Sequence, residues 1–230
     1  MRSRLILLTT VLILGLAAEA SFAHRPIISR GSAVDAEHAL SISNVQVSRV
    51  VYHRVTDGTA QLWITFDVER SQRLAVQLGV PFIGRLREYR PSLAVLGPGL
   101  PEVELPFEVP EGLGGLLFQT EDVDKPQVFD EPFSTTRSWI LEDTTVELPE
   151  GGTYYVVAFH PDGENGKLWV ATGREEDFSL ADIVELPGML SEVRTFHEVA
   201  MGLGIPCILL PFGALTATCL IVAGKRRARL

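Results

Sequence analysis

The residues of this chain with the most specific chemistry to offer are its histidines and two carboxylates close to one of them. Ser21-Phe22-Ala23 puts small residues at the two positions a signal peptidase reads, and cleavage after Ala23 would leave His24 as the first residue. A histidine in that position presents a free amine and an imidazole from one residue, and imidazole suits copper. Copper needs at least one further histidine. His53 lies in an alternating apolar run and His160 ends another, so His24, His53 and His160 are the candidate metal ligands. Asp162 and Glu164 flank a turn just beyond His160 and would place oxygens around calcium, although ordinary turn residues explain them equally. No organic cofactor is implied.

Motifs for catalysis are missing. The sequence contains no Gly-x-Ser-x-Gly elbow, no His-Glu-x-x-His helix, no phosphate-cradling glycine loop and no calcium-type acidic repeat. Cys207 and Cys219 both lie in a C-terminal apolar run, so the rest of the chain has no disulfide, thiol nucleophile or thiolate metal site. These absences favour a binding module over an enzyme. A hydrolase whose polar residues are scattered along the sequence is the competing reading.

Two apolar runs give the chain its address. Arg2 and Arg4 precede the residues from Leu5 to Ala18, the charged start and short apolar centre of a secretory signal over 1–23. From Val199 to Gly224 no residue is charged, a length that crosses a bilayer core with some tilt at about 1.5 Å of rise per residue. Lys225-Arg226-Arg227-Ala228-Arg229 follows at once. Basic residues beside a span stay on the cytoplasmic side, which predicts a single-pass type I protein with a tail over 225–230 and its bulk outside the cell membrane, periplasmic or extracellular. Gly213 and Ala217 form a small-x-x-x-small pair through which a second copy or another membrane protein can approach. Of 29 acidic and 20 basic residues, one acid and six cations fall outside 24–198, which leaves that portion near −14. Such a surface repels nucleic acid and favours cations or basic partners.

The elements that must position these residues are strands. Leu62, Ile64, Phe66 and Val68 alternate with polar neighbours, as do Leu74, Val76, Leu78 and Val80, the pattern of half-buried antiparallel strands. Asp57-Gly58 separates 47–55 from the first of these runs and predicts a tight hairpin. Further strands are expected at 91–96, 138–147, 153–160 and 167–172, punctuated by Gly and Pro as in a β-sandwich. Residues 98–133 break the rhythm with six prolines, so paired strands are not expected there. Leu105, Phe107, Leu116, Phe118, Phe129 and Phe133 suggest that this long loop packs on the sandwich and make it the candidate binding surface. Past Gly173 the pattern turns helical: Ser179 and Asp182 resemble a capping box opening 180–186, and beyond Pro187-Gly188 the residues Met189, Val193, Phe196 and Ala200 share a helical face. That face either lies in the membrane interface, where His197 would be an interfacial residue, or packs on the sandwich.

The residues from Phe66 to Val80, then Pro91-Ser92-Leu93-Ala94-Val95-Leu96-Gly97-Pro98-Gly99, Leu148-Pro149-Glu150-Gly151-Gly152-Thr153-Tyr154-Tyr155-Val156-Val157 and Gly166-Lys167-Leu168-Trp169-Val170 follow in that order. Together they resemble the bacterial pre-peptidase C-terminal domain over about half of the exported portion, with Gly152-Thr153-Tyr154-Tyr155 the most specific piece. The resemblance implies a small jelly-roll sandwich in which the strand at Thr153 pairs with the last strand, and a non-catalytic appendage that binds or assists secretion. The chain departs from that family in having no protease domain and a far longer insertion at 98–133. His24 separately resembles the first residue of secreted copper proteins with a histidine brace, although nothing around it matches them.

The expectation is therefore a mainly β protein: an antiparallel, jelly-roll-like β-sandwich over 24–178, a juxtamembrane helical segment over 179–198, and one transmembrane helix over 199–224. Its expected role is to bind a protein or an envelope glycan outside the membrane.

Overall fold

The computed structural model describes residues 25–200 except 176, 178 and 179. The signal segment, His24, Ser179, the basic tail and all but the first two residues of the 199–224 run lie outside the described residues. Among the described residues eleven strands and one α-helix follow in order, with a short 3-10 turn at Gly84–Leu86: β1 Arg25–Ile28, β2 Leu40–Ser41, β3 Arg49–Val55, β4 Gln61–Val68, β5 Gln72–Pro81, β6 Ser92–Gly97, β7 Gly114–Phe118, β8 Gln127–Glu131, β9 Thr136–Leu148, β10 Gly152–Phe159, β11 Gly166–Thr172 and α1 Leu180–Phe196. Among the described residues no helix is long and apolar enough to cross a membrane.

The strands form a six-stranded sheet, in the order β1-β3-β11-β5-β9-β8, and a five-stranded sheet, β2-β4-β10-β6-β7. The first sheet is thus the six-stranded one and the second the five-stranded one. Period-two alternation decides which residues meet between them. Val51, Leu74, Val76, Leu78, Leu168 and Val170 from the first sheet pack on Leu62, Ile64, Phe66, Leu93, Val95 and Val156 from the second, all buried. At ~25 cal/mol per Å² of apolar surface, each such side chain contributes roughly 1.5–3 kcal/mol, which lets a sandwich without cysteines hold itself closed.

The connections depart from the sequence expectation in several places. Asp57-Gly58 does not make a hairpin: β3 pairs with β1 and β11, whereas β4 pairs with β2 and β10, so the turn carries the chain from one sheet to the other. Alternation identifies a strand but not its neighbour, and a sheet-to-sheet corner uses the same residues as a hairpin. The strand at Thr153 likewise does not pair with the last strand; β10 lies between β4 and β6 in the second sheet, and β11 lies in the first. Nor are the sheets wholly antiparallel, because β1 runs parallel to β3 and β2 parallel to β4. The segment leading into the sandwich lays one short strand on an edge of each sheet.

Residues 98–133 also contain paired strands. β7 pairs antiparallel with β6, and β8 pairs with β9. The prolines spare 114–118 and fall on either side of 127–131, so they bracket the strands instead of preventing them.

The motifs that carry the family resemblance have a structural job. The Tyr154 hydroxyl sits 3.0 Å from the carbonyl oxygens of both Pro98 and Glu150, stitching the turn after β6 to the turn before β10. Gly97 lies under its ring, where an added Cβ would come within 2.0 Å of Tyr154 Cδ1. Gly99 takes φ 72°, a left-handed conformation that favours glycine. The Gly-Pro-Gly and Gly-Thr-Tyr-Tyr pieces are thus two halves of one lock.

Finally, α1 runs unbroken through Pro187-Gly188, where the sequence suggested two helical pieces. Pro187 removes one backbone donor, but the burial of Val193 and Phe196 against the first sheet gives the helix a tertiary reason to continue.

Candidate interaction site

The sequence-derived metal residues do not come together among the described residues. His53 is buried on β3 and both ring nitrogens are in use: Nε2 lies 2.9 Å from the Thr59 carbonyl, which can only accept, so Nδ1 takes the Ser29 hydroxyl proton at 3.1 Å. Burial lowers its pKa. His160 stacks on Tyr89 at 4.8 Å, and its Nδ1 accepts the backbone N–H groups of Asp162 and Glu164 at 3.3 Å. It holds the turn that carries the two candidate calcium ligands, and Glu164 Oε2 approaches its Nε2 at 3.6 Å. No three His, Cys, Asp or Glu side chains gather as a metal set among the described residues.

The apolar residues of 98–133 are dispersed to different surfaces. Leu105 and Phe107 cover the outer face of the second sheet, where Phe107 meets Trp63 and Phe159 edge-on at 5.3 and 5.0 Å. Leu116 and Phe118, on β7, pack against the core between the sheets. Phe129, on β8, joins the cluster on the outer face of the first sheet, and Phe133 is half-buried just after it. Of the six, Phe129 lines the main cleft of the first sheet.

That cleft, about 460 Å³, opens on the outer face of the first sheet beside β8. The alternation of β3, β11 and β8 turns Tyr52, Trp169 and Phe129 to the same side and makes its apolar wall. Gly79 leaves room for the indole, since a Cβ there would come within 2.1 Å of Trp169 Cζ2. Polar groups surround this wall. Gln77 and Gln127 face the cleft, and an Asp143–Arg174 ion pair at 3.3 Å borders it. Glu131 accepts the Phe133 N–H at 3.0 Å, and burial raises its carboxyl pKa. Tyr52 is held well above its ordinary range by burial and by the nearby Glu131 charge.

At the helical end of the cleft lies a chain of hydrogen bonds. Trp169 Nε1 donates to Ser138 Oγ at 3.0 Å, and Ser138 Oγ lies 3.2 Å from His197 Nε2. His197 Nδ1 is 3.0 Å from the Val193 carbonyl, so Nδ1 carries the proton and Nε2 accepts from Ser138. This is a serine–histidine contact, but burial pushes His197 down to about 4, which makes it a poor general base near neutrality. His197 is thus a buried closing residue, where the sequence reading made it interfacial; the tertiary contact with Ser138 decides this.

Beside it Lys167, almost wholly buried, donates to the Phe196 carbonyl at 2.6 Å and to Glu198 at 2.8 Å. Arg85 closes on the same carboxylate from the other side, at 2.7 Å through Nη1. The hydrogen bonds from Arg85 and Lys167 hold Glu198 down to about 2. Sequence reasoning missed this junction and the Tyr52–Trp169 wall. The available signal was Lys167, an isolated cation at an alternating position inside a strongly apolar strand.

The sequence matches no protein-family model, and no curated protein matches it. Among solved structures, the pre-peptidase C-terminal domain of a collagenase from Bacillus anthracis is similar at 11% identity, over 58% of this chain and 93% of that domain, with a TM-score of 0.33. The likeness is a weak one, at the level of the β-sandwich fold.

Proposed function

We propose that this chain is a membrane-anchored, extracytoplasmic β-sandwich that binds a partner without catalysing a reaction, and that the cleft beside β8 is where the partner seats. The cleft is the observation that supports this most. Its volume of about 460 Å³ falls in the range of recognition pockets, roughly 300–1,000 Å³. An aromatic wall faces two amides, Gln77 and Gln127, which make no side-chain hydrogen bond among the described residues. Such groups can recognise an extended polypeptide through its amides. The serine and histidine at its end each accept one hydrogen bond and donate another in a closed chain, from Trp169 through Ser138 and His197 to the Val193 carbonyl, so they support closure over hydrolysis. Anchoring rests on the uncharged run from Val199 to Gly224 with its basic tail.

The test is site-specific photocrosslinking of the full chain in its native membranes. A photoreactive residue at Gln127 should give discrete adducts that the exposed position Arg70 does not. Adducts at neither position, or equally at both, would remove the cleft from the proposal. In parallel, alkaline extraction should leave the full chain in the membrane and release a chain ending at Glu198; release of both would remove the anchor. Replacing 101–133 by a linker is not a clean test, because it deletes a strand from each sheet.

A further inference from the structure

β9, Thr136–Leu148, is the longest strand among the described residues, and it is only half accompanied on one side. β5 pairs with it from Ser138 to Leu148. On the opposite side β8 reaches only from Thr136 to Ile140. Along 141–148 no described strand lies on that side, and no other described backbone group bonds to it. At about 3.3 Å per residue the vacancy is roughly 25 Å long, ample for one strand. Unpaired edges of this kind are where proteins accept an added strand.

The vacancy carries a charge signature. Glu142, Asp143 and Glu147 punctuate it, with Asp143 also bordering the cleft. Asp143 and Glu147 make only exposed ion pairs, with Arg174 at 3.3 Å and Arg73 at 2.7 Å, contacts that exchange readily. The loop into β8 adds exposed Glu121, Asp122 and Asp124, and its Val123 packs on the apolar cluster to which Leu141 belongs. A second copy of the chain would bring the same acids into opposition, which disfavours self-pairing here.

We propose that the 141–148 edge is completed by an extended, basic segment of a partner protein, added as a further strand in line with β8. The inference rests on the reading of the chain as an interaction module and names the chemistry of its partner. Main-chain hydrogen bonds to β9 supply affinity. Alternate side chains of the incoming strand fall on the cleft side, next to Asp143 and Gln127, and supply selectivity.

The probes are fluorescent peptides of about eight residues: one alternating valine with arginine, one alternating valine with glutamate, and one with the charge of the first but proline in place of valine. They are titrated against the full chain in neutral lipid nanodiscs. The first should bind at least about tenfold more tightly than the second and slow amide exchange along 141–148, with the proline peptide failing to bind. Doubly reversing the edge charge with Asp143→Lys and Glu147→Lys should invert the preference between the first two. Equal binding of the proline peptide would mean attraction without strand addition and overturn the proposal, as would no binding or protection elsewhere. Polypeptide adducts at Gln127 that the first peptide leaves undiminished overturn this inference while sparing the interaction reading, whereas absent adducts remove the reading itself. A glycan adduct there overturns this inference alone.

Discussion

Both outer faces of the sandwich are covered, and they are covered by opposite means. Over the second sheet lies an irregular segment in which Val103, Leu105, Phe107 and Val109 point inward onto Trp63, Ala94, Val157 and Phe159, while the intervening residues are exposed. Its alternation is that of a strand, but prolines at 101, 106 and 110 keep it out of the ladder. Over the first sheet lies α1, and beneath its last turns sit Lys167, Ser138 and His197. One cover is held by dry apolar contact. The other combines apolar contact with titratable groups taken out of water, each of which must find a partner. Buried polar groups make the second cover sensitive to conditions, and that cover stands beside the cleft and the unpaired edge.

The contrast can be broken by experiment, beginning where the effect is largest. Trp63→Ala should cost about 4 kcal/mol in urea unfolding, and the same amount at pH 7 and pH 5, because the rings in contact with the indole, Phe107 and Tyr155, and the Gln61 amide that accepts its N–H do not change charge between those values. A loss that changes with pH would show that the second face is not closed by apolar contact alone.

Acid should act on the first face. His197 has a folded pKa of about 4, below its unfolded value near 6.5, so the unfolded chain binds the proton first. Its contribution is complete above pH 6.5 and is lost as the pH falls to 4, an effect of about 3 kcal/mol. His53, also lowered by burial, adds in the same direction. His197→Gln should flatten the unfolding profile over that window. A wild-type profile already flat there would contradict a neutral, buried imidazole.

The smallest effect is expected at the junction. Lys167→Met keeps the buried stem but removes the donor to Phe196 and Glu198, and should cost about 1 kcal/mol because Arg85 still holds the half-exposed carboxylate. The Glu198 carboxyl should titrate higher by NMR in this variant. If it does not move, Arg85 alone accounts for the depression.

Much of the fold was legible beforehand. The alternating runs at 62–68 and 74–80 sit in strands because a pleated backbone turns successive side chains to opposite faces. The edge strands β1 and β2 were not legible, being too short to show a period. β7 and β8 were masked by the prolines around them, and part of their apolar content serves packing instead of a shared surface. Of the residues lining the cleft, Phe129 alone was a candidate binding residue in advance; His197 was read only as an interfacial one. His53 and His160 read as donors in the sequence and are spoken for in the structure by Thr59, Ser29 and a turn of backbone N–H groups.

The sequence by itself determined the class of the fold, because burial at every second residue needs no knowledge of neighbours. It also singled out the Gly-Pro-Gly and Gly-Thr-Tyr-Tyr pieces, but that they lock β6 to β10 through Tyr154 and Pro98 was decided by the tertiary structure. Which strands lie side by side, that Asp57-Gly58 crosses between sheets, that α1 folds back to bury His197, and that β9 outruns β8 were decided only in the tertiary structure. Each depends on contacts between residues far apart in the chain, and those contacts are selected by the total surface they remove from water, a sum that no local pattern contains.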